Sequence, residues 1–204
     1  MQMTRFNSVA VIGVALVLGA CAKADKPATT NDSAAGAMAA DSNAMKSSEP
    51  AAPAMTDANI VATLDEVNAA DSAAGKLAST KGTAADVKSF GVEMAKDHHS
   101  LRAAGLEFAK KASITPMAAA GDMMKMDADD FLKKLNDTPK GAAWDKTYID
   151  HEVTLHEQVL QTAAGAKNTT QNADLKALID KATPVVQGHL DRAKSIQAKL
   201  TPAM

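Results

Sequence analysis

Between Thr56 and Leu200, apolar residues recur at three- and four-residue steps in four long runs, and each run is interrupted once by an ionisable side chain. The first run is Ile60, Leu64, Val67, Asp71, Ala74 and Ala78. The second is Val87, Phe90, Met94, His98, Leu101, Gly105 and Phe108. The third is Ile149, Val153, His156, Leu160 and Ala163, with Trp144, Tyr148 and Leu155 on the adjoining side. The fourth is Leu175, Ile179, Ala182, Val186, His189, Ala193, Ile196 and Leu200. This period is that of an amphipathic helix, and strands alternate with a period of two. Aromatic residues make up only 3% of the chain, β-branched residues are few and alanine is abundant, which disfavours an all-β fold. Four such helices with short turns inside each pair predict an all-α fold, a four-helix bundle of two helical hairpins.

The boundaries follow from local chemistry. Thr56 or Asp57 can cap the first helix, which ends at Lys81-Gly82. Thr83 is placed to cap the second, with Asp86 completing an approximate capping box. Ser113–Pro116 breaks the chain, and a Met-rich connection follows with a short helix near Ala128–Leu135. The third helix is predicted over Ala142–Ala166 and the fourth over Asn172–Leu200. Pro184 removes a backbone donor and crowds the carbonyl of Asp180, which predicts a kink before His189. The connection between helices two and three, roughly 28 residues, is long enough to traverse a bundle, and both connectivities stay open.

Asp71, His98, His156 and His189 need a physical account, because a buried aspartate is rare unless paired and histidine titrates near neutrality. Counted from the hairpin turns under pseudo-symmetry, Asp71 falls level with His156, and His98 with His189. At ~1.5 Å per residue the two levels are about 10 Å apart. Glu66 falls near the level of His98, Glu152 near that of His189, and Glu93 near that of Asp71. That separation predicts no single coordination shell unless the helices are offset.

The N-terminal residues read as an address. Arg5 precedes the apolar run Val9–Leu18, which is too short for a permanent span of a ~30 Å hydrocarbon core. Leu18-Gly19-Ala20-Cys21 resembles a bacterial lipobox, in which the signal is cut before the cysteine and the cysteine carries lipid. Cys21 is the only cysteine, so it forms no intramolecular disulfide. Residues 22–55 contain no Leu, Ile, Val or aromatic residue and read as a disordered tether with an r.m.s. reach near 30–35 Å. The predicted organisation is a signal peptide at 1–20, a tether at 21–55 and the bundle at 56–204. By analogy with Gram-negative lipoproteins, Ala22 rather than aspartate after Cys21 favours an exported protein anchored in the outer membrane and facing the periplasm.

The matching stretches DSAAGKLA (71–78), FGVEMAKDHHS (90–100), WDKTYIDHEVTLHEQVL (144–160) and ATPVVQGHLDRA (182–193) carry a resemblance. Together they resemble a bacterial family of secreted proteins and lipoproteins of unknown function, described as outer-membrane proteins with a ferritin-like bundle. Asp71, Asp97-His98, Tyr148 with His156, and Pro184 with His189-Leu190 occupy the family's positions. Asp71 stands for the usual glutamate, Trp144 for phenylalanine, and Thr183 precedes the proline. The resemblance covers about residues 57–200 and implies a ferritin-like fold, with no established activity.

Several function classes fall away. A net charge of −2 and few aromatics leave no basic field and no stacking platform for nucleic acid. No Gly-x-Ser-x-Gly, phosphate loop or His-Glu-x-x-His occurs, and no catalytic residue is assigned. No Glu-x-x-His occurs either, which disfavours a ferritin-type di-iron centre. The nearest pattern is Glu152-x-x-x-His156. Two readings remain. In the first, a non-enzymatic envelope protein holds its helices in register through a polar core, with Asp97, Tyr148, Glu66 and Glu93 completing the network. In the second, His98, His156, His189, Asp71 and Glu152 bind a transition metal such as Fe, Cu, Zn or Mn, in a metal-binding or redox protein. Met123, Met124 and Met126 form a separate soft-metal candidate, against the plainer role of flexible apolar filler. His99 and His151 fall on solvated or flanking positions.

Overall fold

Five helices and no strand are present among the described residues: α1 (Asp57–Lys81), α2 (Ala85–Lys111), α3 (Met124–Asp137), α4 (Ala142–Thr169) and α5 (Ala173–Leu200). The computed structural model describes residues 55–200. The export signal, Cys21 and the tether up to residue 54 lie outside the described residues. Met55, assigned by sequence to the end of the tether, packs against an apolar cluster of the bundle.

The long helices lie where the apolar period places them. Thr56 caps α1 in a reciprocal capping box with Asn59. Asn172 caps α5, its side-chain oxygen accepting from the backbone N–H of Asp174 and Leu175. α3 begins four residues earlier than Ala128, and α4 continues three residues past Ala166. α5 runs from Ala173 to Leu200 with Pro184 inside it.

The start of α2 departs from expectation. Ala84, not Thr83, is the capping residue, and no capping box with Asp86 forms. Instead the backbone N–H of Thr83 and Ala84 donate to the carboxylate of Asp145, at 2.9 and 2.7 Å. Asp145 is buried, and a buried carboxylate must be met by donors. A residue of α4 therefore satisfies the two amides that lead into α2, while Asp86 pairs with Lys199 at the surface. No local spacing could reveal an acceptor 61 to 62 residues away.

α1 packs on α2 and α4 on α5, while α2 also touches α5 and α1 touches α4. Two apolar clusters mark the ends of the bundle. Ala78, Val87, Trp144 and Ile196 meet at one end, and Ile60, Ala109, Ala166 and Leu175 at the other. The turn joining α1 to α2 and the turn joining α4 to α5 thus lie at opposite ends. The segment between α2 and α4 runs the length of α1. The N–H of Met117 donates to the carbonyl of Ala58 near one end, and the Lys81 ammonium donates to the carbonyls of Leu135, Asn136 and Thr138 near the other. Within this segment α3 packs against α1 and α4.

α1 and α2 touch backbone to backbone. A Cβ on Gly75 would lie 2.7 Å from the amide of Ala95 and the carbonyl of Gly91, and a Cβ on Gly91 would lie 2.7 Å from the carbonyl of Gly75. Neither obstacle can rotate away. Gly75→Ala and Gly91→Ala are each expected to destabilise the fold by about 1–3 kcal/mol through overpacking. Gly105→Ala meets nothing within 4 Å and is expected to stabilise by about 0.5–1 kcal/mol through helix propensity. Urea unfolding of the three variants checks both signs.

Candidate metal centre

The four stripe interruptions converge between the two apolar clusters. From the end shared by the α1–α2 turn, the start of α4 and the end of α5, Asp71 lies ten residues along α1 and His98 thirteen along α2. His156 lies fourteen along α4 and His189 eleven along α5. At ~1.5 Å per residue all four fall within about 6 Å of one level. The two-level expectation is therefore corrected. It measured His156 and His189 from their own hairpin turn, which sits at the other end of the molecule. The paired levels of Asp71 with His156 and of His98 with His189 merge into one.

The three imidazole rings stand 5.2 to 5.6 Å apart, centroid to centroid. His98, His156 and His189 each offer a nitrogen within 4.8 Å of the others, and Asp71, Glu152 and His156 form a second such group. All five side chains are buried. Hydrogen bonds fix the ring tautomers. His98 Nδ1 lies 2.8 Å from Asn68 Oδ1, an acceptor whose amide nitrogen donates to the Leu64 carbonyl, so His98 carries its proton on Nδ1. His156 Nδ1 donates to the carbonyl of Glu152 at 2.9 Å. His189 Nε2 donates to Asp97 Oδ2 at 3.2 Å. The opposite nitrogens, His98 Nε2, His156 Nε2 and His189 Nδ1, are then bare lone pairs.

Those three nitrogens are buried and have no hydrogen-bond partner. The same holds for Asp71 Oδ2, both Glu152 carboxyl oxygens and the Tyr148 hydroxyl. Asp71 Oδ2 and Glu152 Oε2 lie 3.5 Å from His98 Nδ1 and His156 Nδ1, and among the described residues one further buried side-chain atom lacks a hydrogen bond, Glu93 Oε2, which meets the Arg192 guanidinium in an ion pair. An unmet buried polar atom costs about 1–3 kcal/mol, and such atoms are rare in folded proteins. Here they gather at one place.

Burial sets the charge states. Desolvation pushes the Asp71 carboxyl up to about 8. Desolvation and then the neighbouring Asp71 push Glu152 well above the carboxylate range. Desolvation, with repulsion from His156 and His189, holds His98 far below the usual histidine value. It brings His156 down to about 4 and lowers His189. The phenol of Tyr148, beside Glu152, is pushed up by burial and stays protonated. The metal-free centre thus holds neutral imidazoles and protonated carboxyls.

The remaining candidates spread outward. Asp97 and Glu93 approach His189 on the α2–α5 side, but Arg192 sits on Glu93 and over the Phe90 ring. Glu93 therefore does not join Asp71. Glu66 lies outside the ligand groups and faces Asp122. Met123 and Met126 are half exposed, at 51% and 50%, while Met124 is partly buried. His99 is exposed, and His151 stacks on Phe131, where burial holds it down to about 4. Asn68 escaped the sequence reading. Its one signal is an amide beside the apolar stripe, three residues before Asp71.

An apolar cavity adjoins the centre beyond His98, lined by Val67, Leu101, Gly105, Val159, Ile179 and Val186. On the other face, a wider cavity of about 600 Å³ between α1, α3 and α4 reaches Asp71. No helix among the described residues is long and apolar enough to cross a membrane.

Residues 26–196 match the family described as "Domain of unknown function (DUF4142)". No curated protein and no solved structure matches the chain.

Proposed function

The chain belongs to this family of unknown function, and we propose that it is a metal-binding protein of the cell envelope. Its centre takes one divalent transition-metal ion on His98 Nε2, His156 Nε2 and His189 Nδ1, with Asp71 or Glu152 supplying an oxygen. The observation that carries this reading is the convergence of three buried imidazole lone pairs whose opposite nitrogens are each held by an acceptor. Holding the far nitrogen of a ligating histidine is how proteins fix its tautomer and raise its basicity. A set of imidazoles and carboxylates without thiolate suits Zn, Fe, Mn or Cu(II). Two hairpins joined by one long crossover support reading the scaffold as a ferritin-like bundle, with a ligand set unlike the di-iron pattern.

The test is native mass spectrometry of the full chain titrated with Mn, Fe, Co, Zn and Cu salts. One ion per chain is expected. Substoichiometric, non-saturating uptake of all five metals would sink the reading. A second reading, a structural polar network without metal, draws on the Asn68–His98 and Asp97–His189 hydrogen bonds.

We further propose that Cys21 carries a lipid that places the bundle at the periplasmic face of the outer membrane. Cys21→Ser is expected to shift the protein from the membrane to the soluble fraction. Retention of that variant in the membrane would remove this assignment.

A further inference from the structure

We propose that the cavity between α1, α3 and α4 is a cation vestibule through which a divalent metal ion reaches the buried centre. The inference deepens the metal-binding reading and rests on it. Glu66 and Asp122 stand on the walls and Asp127 at the rim. Asp71 forms the inner wall, fully buried, with one carboxyl oxygen lacking a partner. Asp71 also belongs to the ligand group with Glu152 and His156. The same side chain therefore faces both the vestibule and the centre.

Charge favours this route over the others. No lysine or arginine lines the vestibule. On the α2–α5 side, the Arg192 guanidinium stands beside Glu93, which neighbours Asp97 and His189, and repels an incoming cation. Beyond His98 the walls are mostly apolar, with a few neutral polar side chains and no carboxylate to draw a hydrated ion out of water. A cleft of one charge sign with low-dielectric walls focuses the field and raises the local concentration of counter-ions. At Glu66 burial and then Asp122 push the carboxyl up, while Lys125, on the far side of Glu66 from the vestibule lining, draws it down. Carboxylates placed at the mouth, along the wall and at the floor let the ion exchange bound waters in steps.

The vestibule acts on rate and leaves the final coordination alone, which fixes the test. Co²⁺ uptake by the full chain is followed by stopped-flow absorbance over a range of ionic strength. The Glu66→Gln/Asp122→Asn double variant is expected to take up Co²⁺ roughly tenfold more slowly at low salt. Its stoichiometry should stay unchanged and its rate should depend less on salt. Ala128→Lys, which places a cation on the cavity wall, should slow uptake in the same direction without removing any carboxylate. Glu107→Gln, an acid on the exposed face of α2, should leave the rate alone. Wild-type rates and salt dependence in both vestibule variants would overturn the vestibule while leaving the centre standing. Loss of stoichiometry in the double variant would make Glu66 or Asp122 a ligand, and that too overturns the vestibule. Absence of uptake by the wild-type chain removes both the centre and its entrance.

Discussion

Glu152→Leu makes the metal-free protein more stable while weakening its hold on metal. Glu152 is fully buried, and neither of its carboxyl oxygens has a hydrogen-bond partner. Burial keeps the group protonated, so it contributes no ion pair to lose. Leucine fills similar volume without the unmet polar atoms. Exchanging buried ionisable groups for well-packed apolar ones commonly stabilises a protein by about 1–4 kcal/mol. A gain of about 1–3 kcal/mol is expected here, read as a higher urea midpoint with an unchanged slope. Metal affinity should fall by more than the ~10–100-fold typical of losing an outer partner. Asn68→Ala should show that outer-partner loss, because it frees the His98 ring to change tautomer. A register-fixing network predicts the opposite stability result for Glu152→Leu, since it treats the carboxyl as a bonded member. Destabilisation by Glu152→Leu with no effect on metal uptake would favour that network.

Between pH 6.5 and 8 the metal-free protein should lose stability as pH rises, and the metal-loaded protein should lose much less, so the stabilisation by metal grows with pH. Asp71 titrates near 8 in the fold, against 3.8 for an ordinary aspartate, and Glu152 is also raised. Across about pH 4 to 8 the folded state therefore holds protons that the unfolded state has released. Stability falls with rising pH wherever that holds, by ~1.4 kcal/mol per pH unit for each proton. The histidines act the other way. His98, His156 and His189 titrate below their usual 6.5 when folded. Between about pH 4 and 6.5 the unfolded state thus holds protons that the folded state lacks, and stability is lost as pH falls. The two effects oppose each other in that window, and above 6.5 the carboxyls act alone. Metal removes that dependence, because a ligating carboxyl has already given up its proton in the folded state and holds none that the unfolded chain lacks. Calorimetry in buffers of different ionisation enthalpy should read about one to two protons released per ion bound at pH 7. Urea unfolding across pH should show the two forms diverging. No proton release, or parallel pH profiles with and without metal, would contradict the assignment of charge states.

Much of this architecture is legible in the residues themselves, and the gaps have physical causes. Helix positions follow from the apolar period, since burying one face is what makes these segments helical. The side chains at the centre are legible for the same reason: Asp71, His98, His156 and His189 sit where the stripe demands an apolar residue, and the structure buries all four. Their common level is not legible, because it depends on which ends of the two hairpins are brought together. That is decided by Lys81 tying down Leu135 and Asn136, and by Trp144 Nε1 donating to the same Leu135 carbonyl. The roles of Asn68 and Asp145 are also set by partners 30 to 62 residues away. The thioether cluster is close in sequence without being enclosed in the fold. Met123, Met124 and Met126 are neighbours in sequence, and the first and last of them are half exposed.

The central claim is that three imidazoles share one ion. Anomalous-scattering crystallography of the full chain loaded with Zn²⁺ or Co²⁺ tests it most directly. A single peak is expected within about 2.0–2.2 Å of His98 Nε2, His156 Nε2 and His189 Nδ1, with a carboxyl oxygen of Asp71 or Glu152 beside it. A peak bound elsewhere, or saturating metal that leaves all three nitrogens without an ion, would contradict it.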